Sequence, residues 1–248
     1  SSSSSALGRP IMARPMAILA CVGGAGGFVT YSEDDADELL SVAAPPITGA
    51  GRDYEEAREH AAAHARERGW FFVEDGRDPD LTAGAATIGC EILEQLPATD
   101  VIYVPVGDTT LIRGVAFAAK HLNPRVRVVG VQAERAPAYY RSWQEGRVVT
   151  TDTCDTIADG LATRSPVEDN VRQLRELVAE MRLVSEEEML RAIYRLLADE
   201  HTVAEPAGAA ATAAFLQTGR AHAGERVVLL VTGANLTPEI LPQAVRVG

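Results

Sequence analysis

Four consecutive residues near the middle of the chain, Gly107, Asp108, Thr109 and Thr110, bring together a minimal backbone, a carboxylate and two hydroxyls. They follow an apolar, β-rich run over 101–106, the pattern of a strand buried on both faces. From Leu111 to Leu122 the apolar residues recur at helical spacing. The four residues therefore form a strand-to-helix turn. A helix start presents unpaired N–H groups, and hydroxyls beside them complete a possible phosphate site. The alternative is an ordinary connection capped by its own Asp or Thr. A second polar loop, Thr232-Gly233-Ala234-Asn235, ends another apolar run over 226–231. Ligands of parallel sheets collect at the carboxyl ends of strands, and both loops lie at such ends.

The elements that hold these loops alternate along the chain. Strand patterns fall at 28–31, 47–49, 70–73, 101–106, 126–131, 182–184 and 226–231. Helical patterns fall at 32–40, 53–68, 83–96, 111–122, 136–146, 167–181, 185–200 and 206–216. Alternation predicts an α/β fold with a largely parallel sheet. The glycine cluster at 23–27 reads as a connector, because a strand pattern follows it and a dinucleotide loop would open a helix. Tyr139, Tyr140 and Trp143 read as a packed aromatic surface.

Composition removes several classes of function. Hydrophobic residues make up 46% of 248, enough for a globular core. A formal charge of −12 argues against nucleic acid and anionic membrane, which are polyanions. Three widely spaced cysteines give neither a disulfide framework nor a zinc spacing, and fit a reducing cytoplasm. The apolar stretch over 16–22 is too short to span a bilayer and lacks a signal-peptide layout. Of 23 basic residues, only Lys120 is a lysine.

Six segments together resemble the fold type II pyridoxal-phosphate enzymes, in the serine/threonine dehydratase (ammonia-lyase) branch. They are residues 83–92 (AGAATIGCEI), 104–111 (VPVGDTTL), 129–134 (VGVQAE), 156–162 (TIADGLA), 205–209 (EPAGA) and 232–235 (TGAN). The resemblance runs from about Tyr54 to the C-terminus and weakly back to about Ala17. It implies a tryptophan synthase β-like fold of open, mostly parallel sheets flanked by helices. A smaller α/β domain would span 1–69, and a larger one with the phosphate loop 70–248. It implies pyridoxal 5'-phosphate as cofactor, a small amino-acid substrate such as L-threonine or L-serine, and a homodimer.

By the same resemblance, Gly107, Asp108, Thr109 and Thr110 replace the family's glycine-rich phosphate loop. Asp108 departs from that pattern, since a carboxylate beside a dianion is repulsive unless it points away. Thr232 falls where the family sets a hydroxyl against the pyridine nitrogen, a neutral partner that suits β-elimination. Gly160 lies in the segment lining the cofactor, and Glu205 matches an acidic residue near the ring. Glu134 matches one ligand of a divalent-cation site in some relatives. Tyr140 stands where a second carboxylate would be expected, so no metal is expected.

The family's reaction uses a lysine that carries the cofactor and acts as base at the substrate's α carbon. That lysine precedes every segment matched here, and this sequence has none there. Lys120 would lie roughly 15 Å from Thr110 along one helix, at its far end. The expectation is an N-terminally truncated dehydratase fold. The alternative is an inactive homologue or fragment that keeps the fold as a binding or regulatory module.

Overall fold

The computed structural model describes residues 20–22, 27–29, 47–49, 54–70, 72–74 and 76–248. The chain divides into two compact units, residues 1–74 and 75–248.

In the first unit, β1 (Ala20–Val22), β2 (Gly27–Val29) and β3 (Ile47–Gly49) pair in the order β1-β2-β3, antiparallel throughout. Residues 23–26 are too few for the crossover that parallel pairing of β1 and β2 would need, a dozen residues or more. Helix α1 (Tyr54–Arg68) buries Ala57, Ala61 and Ala65, one face at four-residue spacing. Gly69, at φ 69°, ends it. Trp70 does not open the expected strand: its N–H donates to Ala65 O at 2.9 Å and its ring lies under Arg68. Residues 70, 72 and 73 form no strand. The helix expected at 32–40 and the glycines at 23–26 lie outside the described residues.

The second unit is the expected parallel architecture. Its elements are α2 (Pro79–Gln95), β4 (Val101–Pro105), α3 (Thr110–Leu122), β5 (Arg127–Ala133), α4 (Ala138–Glu145), α5 (Glu168–Leu177), β6 (Glu180–Val184), α6 (Glu186–Glu200), α7 (Pro206–Thr218), β7 (Val227–Leu229) and α8 (Leu241–Val247). The sheet order is β6-β5-β4-β7, every pair parallel. Chain order is broken between β4 and β7, so the carboxyl ends of two non-consecutive strands stand side by side. Open parallel sheets form their ligand crevice at such a point.

Side-chain alternation splits the core in two. Val101, Tyr103, Val129 and Val131 face Ile193, Ala210 and their neighbours on α6 and α7. Ile102, Val104 and Val128 face Ile112, Val115 and Leu174 on α3 and α5. A period of two with both faces apolar is what a sheet covered by helices on both sides requires. The helix expected over 167–181 stops at Leu177, because residues 180–184 instead pair with β5.

Two features fix the strand and helix that carry the turn. Gly114 of α3 faces α2 so closely that a Cβ there would stand 2.5 Å from Thr82 O. At the sheet's edge, the buried Tyr103 hydroxyl meets His222 Nε2 at 2.7 Å, while His222 Nδ1 meets Glu225 at 2.7 Å. Glu225 in turn accepts from Arg127 at 2.6 Å, tying the short β7 to β4 and β5. No helix among the described residues is long and apolar enough to cross a membrane.

Candidate functional site

Beyond β4 the backbone turns under tight constraint. Val106 N–H still bonds Val131 O at 2.8 Å. Gly107 then lies directly against the Gly160 carbonyl, in space that any Cβ would claim. The Thr163 hydroxyl donates to Gly107 O at 3.2 Å. Thr109 takes φ 89°, ψ −9°, the left-handed region, and α3 starts at Thr110. A β-branched residue there is strained by about 1–3 kcal/mol and persists only when its surroundings over-determine it.

Those surroundings are a buried polar network behind the turn. Arg113, one helical turn beyond Thr109, donates from Nε to Thr109 Oγ1 at 3.1 Å. Its other nitrogens donate to Gly76 O at 2.9 Å and Gln173 Oε1 at 3.2 Å. Asn170 adds a second donor to Gly76 O at 2.8 Å and reaches Asp108 O at 3.4 Å. The Tyr139 hydroxyl accepts from Val167 N–H at 3.1 Å. Burial pushes the Tyr139 phenol above its ordinary range; donors from Val167 and Asn170 pull it back, and the Asp108 charge adds to the rise. Tyr139 is thus buried in the core, with Tyr140 and Trp143 packed against the same cluster.

Asp108 is turned onto its own helix. Thr110 N–H donates to Asp108 Oδ1 at 3.0 Å, and the Thr110 hydroxyl donates to Oδ2 at 3.3 Å while accepting Gly76 N–H at 2.8 Å. The N–H groups of Gly107 and Thr109 make no hydrogen bond among the described residues.

The remaining sequence candidates converge on the same end of the sheet. Gly160 touches Gly107 on one side and faces Ala207, at the start of α7, on the other. Glu205, preceding α7, packs its carboxylate on Gly233 and accepts Asn235 N–H at 3.1 Å. Glu205 N–H donates to Gly233 O at 2.9 Å. Thr232 is exposed, and its hydroxyl is unengaged among the described residues. Gly107, Gly160, Glu205 and Thr232 therefore belong to one connected wall.

Glu134 stands apart. It lines a polar cleft of about 460 Å³ beyond β5, with Arg135, Arg141, Asp152 and Asp155. Among the described residues no three or more His, Cys, Asp or Glu side chains cluster as metal ligands. Sequence reasoning missed Gly76, Arg113 and Asn170. Arg113 alone carried a signal, a guanidinium on a helix otherwise lined with apolar residues.

The backbone of the turn suits a phosphate ester: two N–H groups without a hydrogen bond among the described residues, a left-handed residue, and a helix start. One group opposes such a ligand. The Asp108 carboxylate already holds the Thr110 N–H.

The family model described as "Pyridoxal-phosphate dependent enzyme" matches residues 29–233. An L-threonine ammonia-lyase of Thermotoga maritima is 37% identical over 198 residues, 80% of this chain and 49% of that protein. The catabolic L-threonine dehydratase TdcB of Escherichia coli K12 is 36% identical over 170 residues, 68% of this chain and 52% of its own. This chain spans about half the length of those curated relatives. Among solved structures, the processed form of threonine deaminase isoform 2 from Solanum lycopersicum superposes with a TM-score of 0.75 at 29% identity. It covers 80% of this chain and 58% of its own. Maize serine racemase gives 0.71 at 27% identity, covering 79% of this chain and 62% of its own.

Proposed function

The chain belongs to the pyridoxal-phosphate dependent enzyme family, and from that premise we propose that it acts as a pyridoxal-phosphate-dependent ammonia-lyase. The substrate is a β-hydroxy amino acid such as L-threonine or L-serine; the products are a 2-oxo acid and ammonia. The observation that carries this reading is the convergence of Gly107, Gly160, Glu205 and Thr232 at the carboxyl ends of β4 and β7. The threonine ammonia-lyases among its relatives supply the reaction class.

Pyridoxal phosphate, when bound, supplies an electron sink for negative charge at the substrate's α carbon. The Gly107 and Thr109 N–H groups would hold its phosphate and the Thr232 hydroxyl its ring nitrogen. Gly160 would line the ring, and Glu205 would fix the loop bearing Thr232. A neutral hydroxyl at the ring nitrogen withholds a proton from it, which favours elimination of a β-hydroxyl over chemistry that needs a stronger sink. Lys120 lies in the last turn of α3, roughly 15 Å from Thr110. The amine that carries the cofactor and moves the α proton is therefore not Lys120.

A reducing cytoplasm suits Cys90 and Cys154, neither of which is joined in a disulfide. A homodimer would cover the apolar side chains left exposed on α3, Phe117 and Leu122.

The test is an assay of the protein expressed from its whole natural reading frame with pyridoxal phosphate present. Ammonia and a 2-oxo acid should appear in equal amounts from L-threonine or L-serine. Bound cofactor without ammonia from either substrate would reject the reaction; absence of bound cofactor would reject the seat.

A further inference from the structure

We infer that Asp108 is this chain's own anion at the phosphate seat: its carboxylate holds one of the seat's donors, the Thr110 N–H, and lowers the seat's affinity for a phosphate ester. The inference rests on the reading of Gly107 to Thr110 as that seat, and deepens it by naming what sets its affinity.

Three observations carry it. The Thr110 N–H, the helix-start donor closest to the turn, is given to Asp108 Oδ1 at 3.0 Å. The Thr110 hydroxyl has one proton, and it goes to Asp108 Oδ2 at 3.3 Å. That hydroxyl cannot turn freely, because its lone pair already accepts Gly76 N–H at 2.8 Å. The second hydroxyl is turned into the interior: Thr109 is buried and its oxygen lies against Arg113, from which it accepts. What remains for a ligand is the pair of N–H groups at Gly107 and Thr109.

The consequences have opposite signs for the two partners. For α3, the carboxylate is a resident anion that accepts the Thr110 N–H and complements the helix dipole, so one helix-start donor is satisfied without any ligand. For a dianionic phosphate, the same carboxylate withholds one N–H and one hydroxyl and adds repulsion at short range. The chain keeps the backbone of a phosphate loop but sets an anion of its own at it.

The experiment compares the 248-residue chain with Asp108→Gly and Asp108→Asn by equilibrium dialysis. The probes are pyridoxal phosphate, pyridoxal without its phosphate, and inorganic phosphate as competitor. Asp108→Gly should tighten pyridoxal phosphate binding about tenfold or more, one step of the affinity scale. Asp108→Asn, which keeps an oxygen for Thr110 N–H and removes the charge, should gain less; being nearly isosteric, it carries the test if the glycine variant does not fold. Pyridoxal affinity should stay within about twofold across the series, and inorganic phosphate should compete better in the variants. Equal pyridoxal phosphate affinity in all three proteins, or equal gains for pyridoxal and its phosphate, overturns the inference and leaves the seat standing. No binding by any of the three overturns the seat, and the inference with it.

Discussion

The Gly160 carbonyl occupies the space where a side chain on Gly107 would begin. One contact thus joins the end of β4 to the segment before α5, two parts of the chain 53 positions apart (160 − 107). Backbone faces backbone there, so neither side can yield by a rotamer change.

Gly107→Ala should therefore destabilise the chain by about 1–3 kcal/mol, the usual range for overpacking. Urea unfolding would read the loss as a lower midpoint. An unchanged midpoint would mean that the two backbones separate freely.

Thr109 offers a cleaner measurement of strain. Thr109→Gly and Thr109→Ala both delete the hydroxyl that accepts from Arg113, but only glycine relieves φ 89°. The glycine variant should be the more stable of the two by about 1 kcal/mol. Equal stabilities would show that the left-handed turn is not enforced in solution.

Asn170→Leu removes a donor to Gly76 O in a buried setting and should cost about 1–3 kcal/mol. Arg113 still donates to the same oxygen, so a loss at the lower end of that range is expected. A variant as stable as the parent would show that Arg113 alone satisfies Gly76.

Two groups contribute to the pH dependence of stability at opposite ends. Partial burial would raise the Glu188 carboxyl, but donors from Ser185 and Gln217, with Arg191 nearby, hold it below its ordinary 4.5. A carboxyl depressed in the folded state adds stability above its unfolded value and loses it as pH falls through the folded one. Stability should decline below about pH 4.5, and Glu188→Gln should flatten that decline. Tyr139 works at the other limit: burial raises it above 10.0, so its contribution is whole below about pH 10 and is lost as pH climbs further. Melting temperatures across both ranges check the pair; a Glu188→Gln profile as steep as the parent's would remove Glu188 from the acid limb.

Much of this was legible in order along the chain. The buried strand at 101–105, the helix that follows and the parallel alternation are written in apolar periodicity, which depends only on local spacing. The capping box of α6, Ser185 with Glu188, is legible for the same reason. Residues 70–73 misled because β-rich composition does not say whether a neighbouring strand exists to pair with. Gly76 and Asn170 gave almost no signal, since each matters through partners far away in sequence, and Arg113 gave one only as a charge on a largely apolar helix.

The sequence by itself determined the α/β class, the family resemblance and the turn at Gly107 to Thr110, because those rest on residue type and short-range spacing. Only the tertiary structure decided where the Asp108 carboxylate points and what holds Thr109 left-handed. A side chain's direction is set by the donors that surround it. Here the carboxylate takes the adjoining amide and hydroxyl of Thr110, and that hydroxyl is fixed in turn by the N–H of Gly76, which the fold brings to the turn from 34 positions away.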